Sequence, residues 1–406
     1  MEIASSSHLS YCTNIHPGET WRDVYEQLQT YVPGIKKNLC PADRFGLGLR
    51  LSNQASQELF EDGNLEDFKR WLDQENVYVF TMNGFPYGGF HGQKVKDLVH
   101  QPDWTTIDRI NYTNRLFNIL ASLLPHDISE GSISTSPLSY KHWHTTTEQQ
   151  KMVLQKSTDH VAKVVGELIR LKETTGKTMH LDIEPEPDGV LENSREVLDY
   201  FNQWLLPLGS KQLQENFGIS SHQAETALRE HIQLCYDICH FAVAYEDHQK
   251  VIDTFEKEGW KIGKMQISAA LKANLTRNPG ARHLVRQAFE QFNESTYLHQ
   301  VVAKKGDGTF IQYPDLEEGL ADFNHSGVTE WRTHFHVPIF LPEYQALQST
   351  QDDIKDVLAI WKEKPFTRHL EVETYTWEVL PQDMQMDLAS SIQREVQWVI
   401  DRLKQI

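Results

Sequence analysis

Three carboxylates stand at the ends of predicted strands, where they could act together in chemistry. Glu184, Asp237 and Glu373 each stand at or next to the end of a short run in which apolar residues alternate with polar ones. Carboxylates are costly to bury unless a cation or hydrogen bonds compensate their charge. Lys264 can neutralise an acidic side chain deeper in the strands, but it cannot serve all three strand ends. The sequence therefore predicts that Glu184, Asp237 and Glu373 bind a divalent metal ion.

Two motifs with histidine accompany these carboxylates. His240 follows Asp237 in a D-x-x-H step, which can direct a carboxylate and an imidazole into one site. His334 and His336 form an H-x-H pair that ends a long predicted loop. Both motifs are therefore candidates for the same site as the strand-end carboxylates.

Eight short β-rich runs must position these side chains. They cover residues 9–15, 45–52, 77–82, 132–137, 179–184, 232–237, 262–267 and 369–374. Segments with helical periodicity lie between them; the longest, 148–174, carries an apolar stripe that includes Val161, Val165 and Leu168. A strand followed by a helix, repeated eight times, predicts an α/β fold, a (β/α)8 TIM barrel that forms one domain over residues 1–406. The alternative is a doubly wound open sheet, but no GxGxxG motif or P-loop follows a predicted strand.

Two stretches depart from the strand–helix repeat. Residues 210–230 predict a helical insertion between the fifth and sixth strands, and residues 270–332 form a long insertion after the seventh. Within the second, 297–304 and 309–313 flank the turn sequence KGDG and predict a β-hairpin. A loop this long in a compact domain is usually functional, so we expect it to overhang the catalytic end of the barrel.

Polar residues recur with a period of two inside the predicted strands. This period places His180, Asp182, Lys264 and Glu371 inside the barrel. The strand ends form the rim where barrel enzymes carry their chemistry.

Three further residues follow or end strands at this rim. His16 follows the first strand, His91 follows the third, and Arg50 ends the second. All three are predicted to bind the substrate, and Arg50 could hold a carboxylate or a phosphate.

Composition narrows the class of protein. The 406 residues are 39% hydrophobic and carry a net charge of −18, which disfavours nucleic acids and acidic membrane surfaces as partners. The mean hydropathy is −0.53, and no stretch approaches the roughly 18 apolar residues that span a bilayer. The first residues show no secretory signal, and four scattered cysteines predict reduced core thiols. We expect a cytoplasmic protein that binds a small molecule; the oligomeric state stays open.

The strand-end residues resemble those of a known superfamily. The order Glu184, Asp237-x-x-His240, Gln266, Glu373 on strands five to eight is similar to the xylose isomerase-like TIM-barrel superfamily, which includes sugar phosphate isomerases/epimerases and endonuclease IV. In the isomerase branch, the resemblance implies one divalent ion held by the four strand ends and two glutamates that move a proton. Gln266 stands where that branch has histidine, which favours Mn²⁺ or Mg²⁺ over Zn²⁺.

The histidine motifs resemble the endonuclease IV branch. Residues 236–242 are similar to its D-T-C-H step, and His334-x-His336 resembles its late D-x-H metal-binding loop, with His334 in the place of Asp. This resemblance implies that His336 is a further metal ligand and that His240 and His334 contact the substrate or a second ion. Residues 9–21 and the loop NGFPYGGFHG at 83–92 resemble a family of metabolite traffic proteins within the superfamily, which implies a role in metabolite handling.

Three functions follow as hypotheses. The first is a metal-dependent isomerase or epimerase of a sugar- or polyol-like metabolite, in which Glu184 and Glu373 exchange a proton beside Mn²⁺, Mg²⁺ or Zn²⁺. The second is a metal-dependent hydrolase of small phosphoesters, related to endonuclease IV, with two or three ions. The third is a binding protein without catalysis, which the glutamine at position 266 favours.

Overall fold

The computed structural model describes residues 1–89, 91, 92, 94–377, 380 and 387–405. Eight parallel strands form its centre. They are His8–Tyr11 (β1), Phe45–Arg50 (β2), Val77–Asn83 (β3), Glu130–Thr135 (β4), Thr178–Ile183 (β5), Ile232–Asp237 (β6), Ile262–Ile267 (β7) and His369–Val372, the fourteenth strand of the chain (β14). The first residue of each strand lies within about two residues of the first residue of a predicted run.

The strands are ordered β1-β14-β7-β6-β5-β4-β3-β2, and a bridge between Cys12 and Gly48 brings the two ends of this order together. The predicted TIM barrel is therefore confirmed. Gly48 is required at the closure because a Cβ there would overlap the Glu371 carboxylate inside the barrel.

Helices surround the barrel. They are Trp21–Leu39, Asn53–Glu58, Asn64–Glu75, Ile107–Leu123, Thr147–Thr175, Ser194–Tyr200, Ser210–Phe217, Ser221–His231, Ile238–Val243, His248–Lys257, Pro279–Glu290, Leu316–Ala321, Gln351–Glu363 and Leu388–Gln405, with a π-helical stretch over Phe201–Gly209. The longest, Thr147–Thr175, is capped by Thr146. The Thr146 side chain accepts a hydrogen bond from the Gln149 backbone N–H, and the Gln149 side chain accepts one from the Thr146 backbone N–H, which makes a capping box. Its buried residues, Val161, Val165 and Leu168 among them, pack on the core. No described helix is long and apolar enough to cross a membrane.

A second sheet of six strands follows β7. It consists of Ala269–Asn274 (β8), Val301–Lys305 (β9), Phe310–Tyr313 (β10), Val328–Val337 (β11), Glu343–Tyr344 (β12) and Leu347–Ser349 (β13), in the order β10-β9-β11-β8-β13-β12. β9 and β10 form an antiparallel hairpin where the KGDG turn predicts one. The sheet extends from residue 269 to residue 349, so it begins and ends outside the 270–332 expected for the insertion.

Charged residues fill the inside of the barrel below the strand ends. Lys264 Nζ lies 2.6 Å from Glu371 Oε1, and both side chains are fully buried. His180 Nδ1 lies 2.6 Å from Asp182 Oδ1. Burial lowers the pKa of His180, but Asp182 and Glu130 outweigh it and raise that pKa to about 9. The interior charges thus neutralise one another in pairs, which leaves the strand-end carboxylates without these cations.

Candidate metal centre and ligand cavity

Three carboxylates from three strands converge at the carboxyl end of the barrel. Asp237 is the last residue of β6, Glu184 follows β5 directly, and Glu373 follows β14. One oxygen of each lies within 4.8 Å of the other two, and all three side chains are buried. The structure therefore brings together the three residues that the sequence singles out first as metal ligands.

Asp237 is oriented by the turn of chain that follows it. It caps the helix 238–243, and its Oδ1 accepts hydrogen bonds from the His240 amide at 3.1 Å and from Ser268 Oγ at 2.7 Å. Burial would raise the pKa of Asp237, but His240, His336 and the Ser268 hydrogen bond outweigh it and lower that pKa. The D-x-x-H step is thus an N-cap that holds an ionised carboxylate in place.

His336 faces this carboxylate with a lone pair. Its Nδ1 lies 3.1 Å from the Glu373 carbonyl, which can only accept, so Nδ1 carries the proton. Burial lowers the pKa of His336 to about 4, so the ring is neutral and Nε2 is an acceptor. Nε2 lies 3.9 Å from Asp237 Oδ2, and neither atom has a hydrogen-bond partner among the residues the structure describes. Two buried acceptors that face each other at this distance fit a cation between them.

The pKa values of the two glutamates are raised by their surroundings. Burial raises the pKa of Glu184 well above its usual range, and Glu373 and Asp237 raise it further. Burial and Asp237 do the same to the pKa of Glu373. A divalent ion at this point would favour the ionised form of both, because an opposite charge stabilises a carboxylate.

Two amides fix the position of Glu373. The Nδ2 atoms of Asn14 and Asn83 each donate to Glu373 Oε1 at 2.8 Å. The second oxygen, Oε2, is left for a ligand and lies 3.8 Å from His336 Nδ1.

Gln266 is placed differently from the three carboxylates. Its Oε1 accepts a hydrogen bond from Cys235 Sγ at 2.9 Å, and its Nε2 is buried without a described partner. The oxygen that a metal would use is thus already paired.

His240 and His334 meet through their Nε2 atoms. His240 Nδ1 donates to the Pro185 carbonyl at 2.9 Å. Gln300 Nε2 donates to the Pro187 carbonyl at 3.0 Å, so Gln300 Oε1 must accept from His334 Nδ1 at 2.8 Å. If both rings are neutral, the two Nε2 atoms present lone pairs to each other, 3.1 Å apart. A proton on one Nε2 or a metal ion bound by both resolves this conflict, and Glu186 has an oxygen within 4.8 Å of a nitrogen of each ring.

A cavity of about 60 Å³ leads to these groups. Its lining includes Asn14, Asn83, Phe85, Lys96, His100, Glu184, Glu186, His240, Tyr297, Gln300, His334, His336, Glu373 and Tyr375. Tyr297, Gln300 and the two histidines of β11 come from the insertion after β7. That insertion therefore forms part of the cavity wall.

The three other predicted substrate residues lie around the cavity without lining it. His16 Nε2 bonds the Tyr11 hydroxyl at 3.0 Å, and its ring stacks on Tyr31. His91 Nε2 lies 2.6 Å from the Asn14 carbonyl, beside the cavity wall. The Arg50 guanidinium bonds the carbonyls of Gly18, Pro86 and Gly88 and pairs with Glu19.

Sequence reasoning missed several residues of the cavity. Asn14, Asn83, Glu186, Gln300 and Tyr375 line it and were not among the candidates. The sequence could have identified Glu186, because it lies two residues after Glu184 in a stretch that Pro185 and Pro187 stiffen. Asn14 lies near the end of one predicted strand and Asn83 directly follows another, but asparagine at such a position is equally typical of a turn.

Comparisons with known proteins give similarity in structure. No protein-family model and no curated protein sequence matches the chain. A structure of the IolI protein with a binding zinc atom is similar with a TM-score of 0.45 and 11% identity, covering 98% of both chains. A xylose isomerase-like TIM barrel protein from Mycobacterium smegmatis in complex with magnesium has a TM-score of 0.49 and 9% identity, covering 99% of this chain and 98% of that one. A D-tagatose 3-epimerase-like protein has a TM-score of 0.46 and 10% identity, covering 98% of both. The structural neighbours are thus xylose isomerase-like TIM-barrel proteins, and the likeness is one of fold.

Proposed function

We propose that this chain is a metal-dependent isomerase or epimerase that acts on a sugar- or polyol-like metabolite. One observation carries the proposal: Glu184, Asp237 and Glu373 converge at the barrel rim beside the unpaired Nε2 of His336, at the inner end of a cavity. These four residues would hold one divalent ion. Gln266 is a weaker candidate because its oxygen bonds Cys235.

The roles of the chain's own residues follow from their surroundings. A bound divalent ion supplies a Lewis acid that polarises a carbonyl or hydroxyl group. Glu184 and Glu373 move the proton between neighbouring carbons of the substrate, one accepting it while the other donates. Asn14 and Asn83 hold Oε1 of Glu373, so Oε2 is the atom that takes part.

For the role in the cell we propose metabolite handling of the kind found in the EboE metabolite traffic proteins. The segments that resemble that family, 9–21 and 83–92, supply Asn14 and Asn83 to the cavity. The four cysteines are buried and free, which supports a place in the cytoplasm.

The test combines metal analysis with proton exchange. The purified protein is expected to contain one equivalent of Mn²⁺, Mg²⁺ or Zn²⁺ and to incorporate solvent deuterium into one member of a panel of five- and six-carbon aldoses and ketoses. Glu184→Gln and Glu373→Gln should abolish exchange, while Glu61→Gln, a change of an exposed glutamate, should leave it intact. Full exchange in both site variants would overturn the proposal.

A second candidate function rests on the facing Nε2 atoms of His240 and His334. A second ion there would suit a hydrolase of small phosphoesters, related to endonuclease IV. Two or three equivalents of metal, lost in part on His334→Ala, would favour hydrolysis over isomerisation. A protein that binds a panel member tightly without any turnover would instead be a metabolite-binding protein.

A further inference from the structure

We infer that the cavity selects an uncharged, hydroxyl-rich ligand and discriminates against its phosphorylated form. The inference rests on the proposed function and names the class of substrate for that site. It follows from three features: the hydrogen-bond acceptors of the lining, the partners of the nearby lysine and arginine side chains, and the negative charge of the carboxylates at the cavity.

Several polar atoms of the residues that line the cavity are acceptors. Asn14 donates through Nδ2 to a carboxylate oxygen, which fixes the amide orientation, and its Oδ1 is left buried without a partner in the described part of the chain. Asn14 is 2% exposed and lines the cavity. Glu184 and Glu186 add carboxylate oxygens. Buried acceptors need donors, and a ligand gains affinity by supplying them. Hydroxyl groups donate, whereas an ionised phosphate or carboxylate can only accept.

The lysine that lines the cavity is already paired with a carboxylate. Lys96 is the only lysine or arginine among the described lining residues, and its Nζ lies 2.5 Å from Asp315 Oδ2. His100 Nε2 lies 3.0 Å from a Glu186 oxygen. No free ammonium or guanidinium is thus available, among these residues, for the bidentate contacts that phosphate sites use.

Two buried arginines behind the wall bind main-chain carbonyls instead of a ligand. Arg109 donates to the carbonyls of Gly84 and Phe85 at 2.8 and 3.0 Å. Arg50 donates to the carbonyls of Pro86 and Gly88. These contacts fix the segment that carries Phe85. In Arg50, the residue that the sequence suggested for a carboxylate or phosphate, they occupy Nη1 and Nη2 and leave only Nε without a described partner.

The negative charge of the site also disfavours a phosphorylated ligand. Glu184, Glu186, Asp237 and Glu373 lie in or beside the cavity, and one divalent ion balances only two of these charges. A phosphate dianion would enter a region of like charge, where Coulomb repulsion is poorly screened by solvent. Aromatic rings of Phe85, Tyr297 and Tyr375 offer apolar walls against which the C–H faces of a polyol can pack.

Equilibrium titration tests the inference. The metal-loaded protein, freed of excess Mn²⁺, is titrated with xylose, sorbitol and their monophosphates, xylose 5-phosphate and sorbitol 6-phosphate. We expect at least one neutral compound to bind and its phosphate to bind at least tenfold more weakly. Equal or tighter binding of the phosphate would overturn the inference, and so would binding of none of the four.

A matched pair of variants locates the discrimination. Glu186→Gln removes one charge from the cavity. It should reduce the ratio of the Kd of the phosphorylated ligand to the Kd of the neutral ligand. Glu343→Gln removes one charge from an exposed strand and should leave the ratio unchanged. An unchanged ratio in Glu186→Gln would contradict the charge argument. Because binding is read without turnover, a protein that shows no proton exchange but keeps the preference would refute the isomerase proposal and not this one.

Discussion

Nε2 of His336 lies 3.9 Å from Oδ2 of Asp237, and both atoms are buried acceptors with no described hydrogen-bond partner. The proton on Nδ1 is held by the Glu373 carbonyl, so the ring cannot turn its donor toward the carboxylate without losing that bond. The arrangement is costly in the absence of a cation and favourable in its presence.

Removal of either partner should weaken metal binding. We expect His336→Ala and Asp237→Asn to lower the affinity for Mn²⁺ by at least about tenfold, because each removes a ligand atom. Isothermal titration of EDTA-treated protein measures the affinity. His222→Ala, which changes an exposed helical histidine, is the control. Unaltered affinity in both site variants would show that the ion, if one binds, lies elsewhere.

The metal-free protein should lose stability as the pH rises. The pKa values of Glu184 and Glu373 are raised in the folded state by burial and by neighbouring carboxylates. The folded state therefore holds protons that the unfolded chain releases, so the stability from these groups is full below about pH 4.5 and declines as the pH rises through the folded pKa values.

This decline can be assigned by comparing variants. Thermal unfolding of EDTA-treated protein between pH 5 and 8 should show a falling Tm, with a shallower slope in Glu184→Gln and in protein saturated with Mn²⁺. Bound metal should also raise Tm at every pH, by an amount that corresponds to about 2.7 kcal/mol at 100 times Kd. If Tm fell equally steeply with pH in the wild type and in Glu184→Gln, the loss of stability could not be attributed to Glu184.

Removing one member of the ion pair between Lys264 and Glu371 should destabilise the protein more than removing both. Lys264→Met leaves Glu371 buried without its cation, and breaking such a pair typically costs about 3–5 kcal/mol. The double variant Lys264→Met/Glu371→Leu removes both charges and should recover part of this loss. Urea unfolding measures the free energies. A double variant no more stable than Lys264→Met would show that packing, rather than the unpaired charge, sets the cost.

The sequence predicted best what depends on local pattern. The period of two in β5 and β14 placed Asp182 and Glu371 inside the barrel, and the last acidic residue of each run marked the rim. Two of the partners of Arg50 are main-chain carbonyls of a loop 36 to 38 residues away, which no side-chain pattern reveals. The short strands β12 and β13 form by pairing with each other and with β8, which is distant in sequence. Within the insertion, only the β9–β10 hairpin has a turn sequence, KGDG, that predicts it. Local rules thus locate the strand ends, whereas long-range contacts decide what each end faces.

The closure of the barrel gives a final prediction. A Cβ at Gly48 would overlap the carboxylate of Glu371, which cannot withdraw because Lys264 holds it. Gly48→Ala should therefore destabilise the protein by about 1–3 kcal/mol or more, as overpacking of a filled interior does. Gly34→Ala is the matched control, because this helical glycine has nothing within 4 Å of a new Cβ, and alanine there should stabilise by about 0.4–1 kcal/mol. In a Glu371→Ser background the cost of Gly48→Ala should shrink, since the overlapping atoms are gone, and urea unfolding of the four combinations measures this coupling directly. A cost that is the same in both backgrounds would mean that a group other than Glu371 demands the glycine.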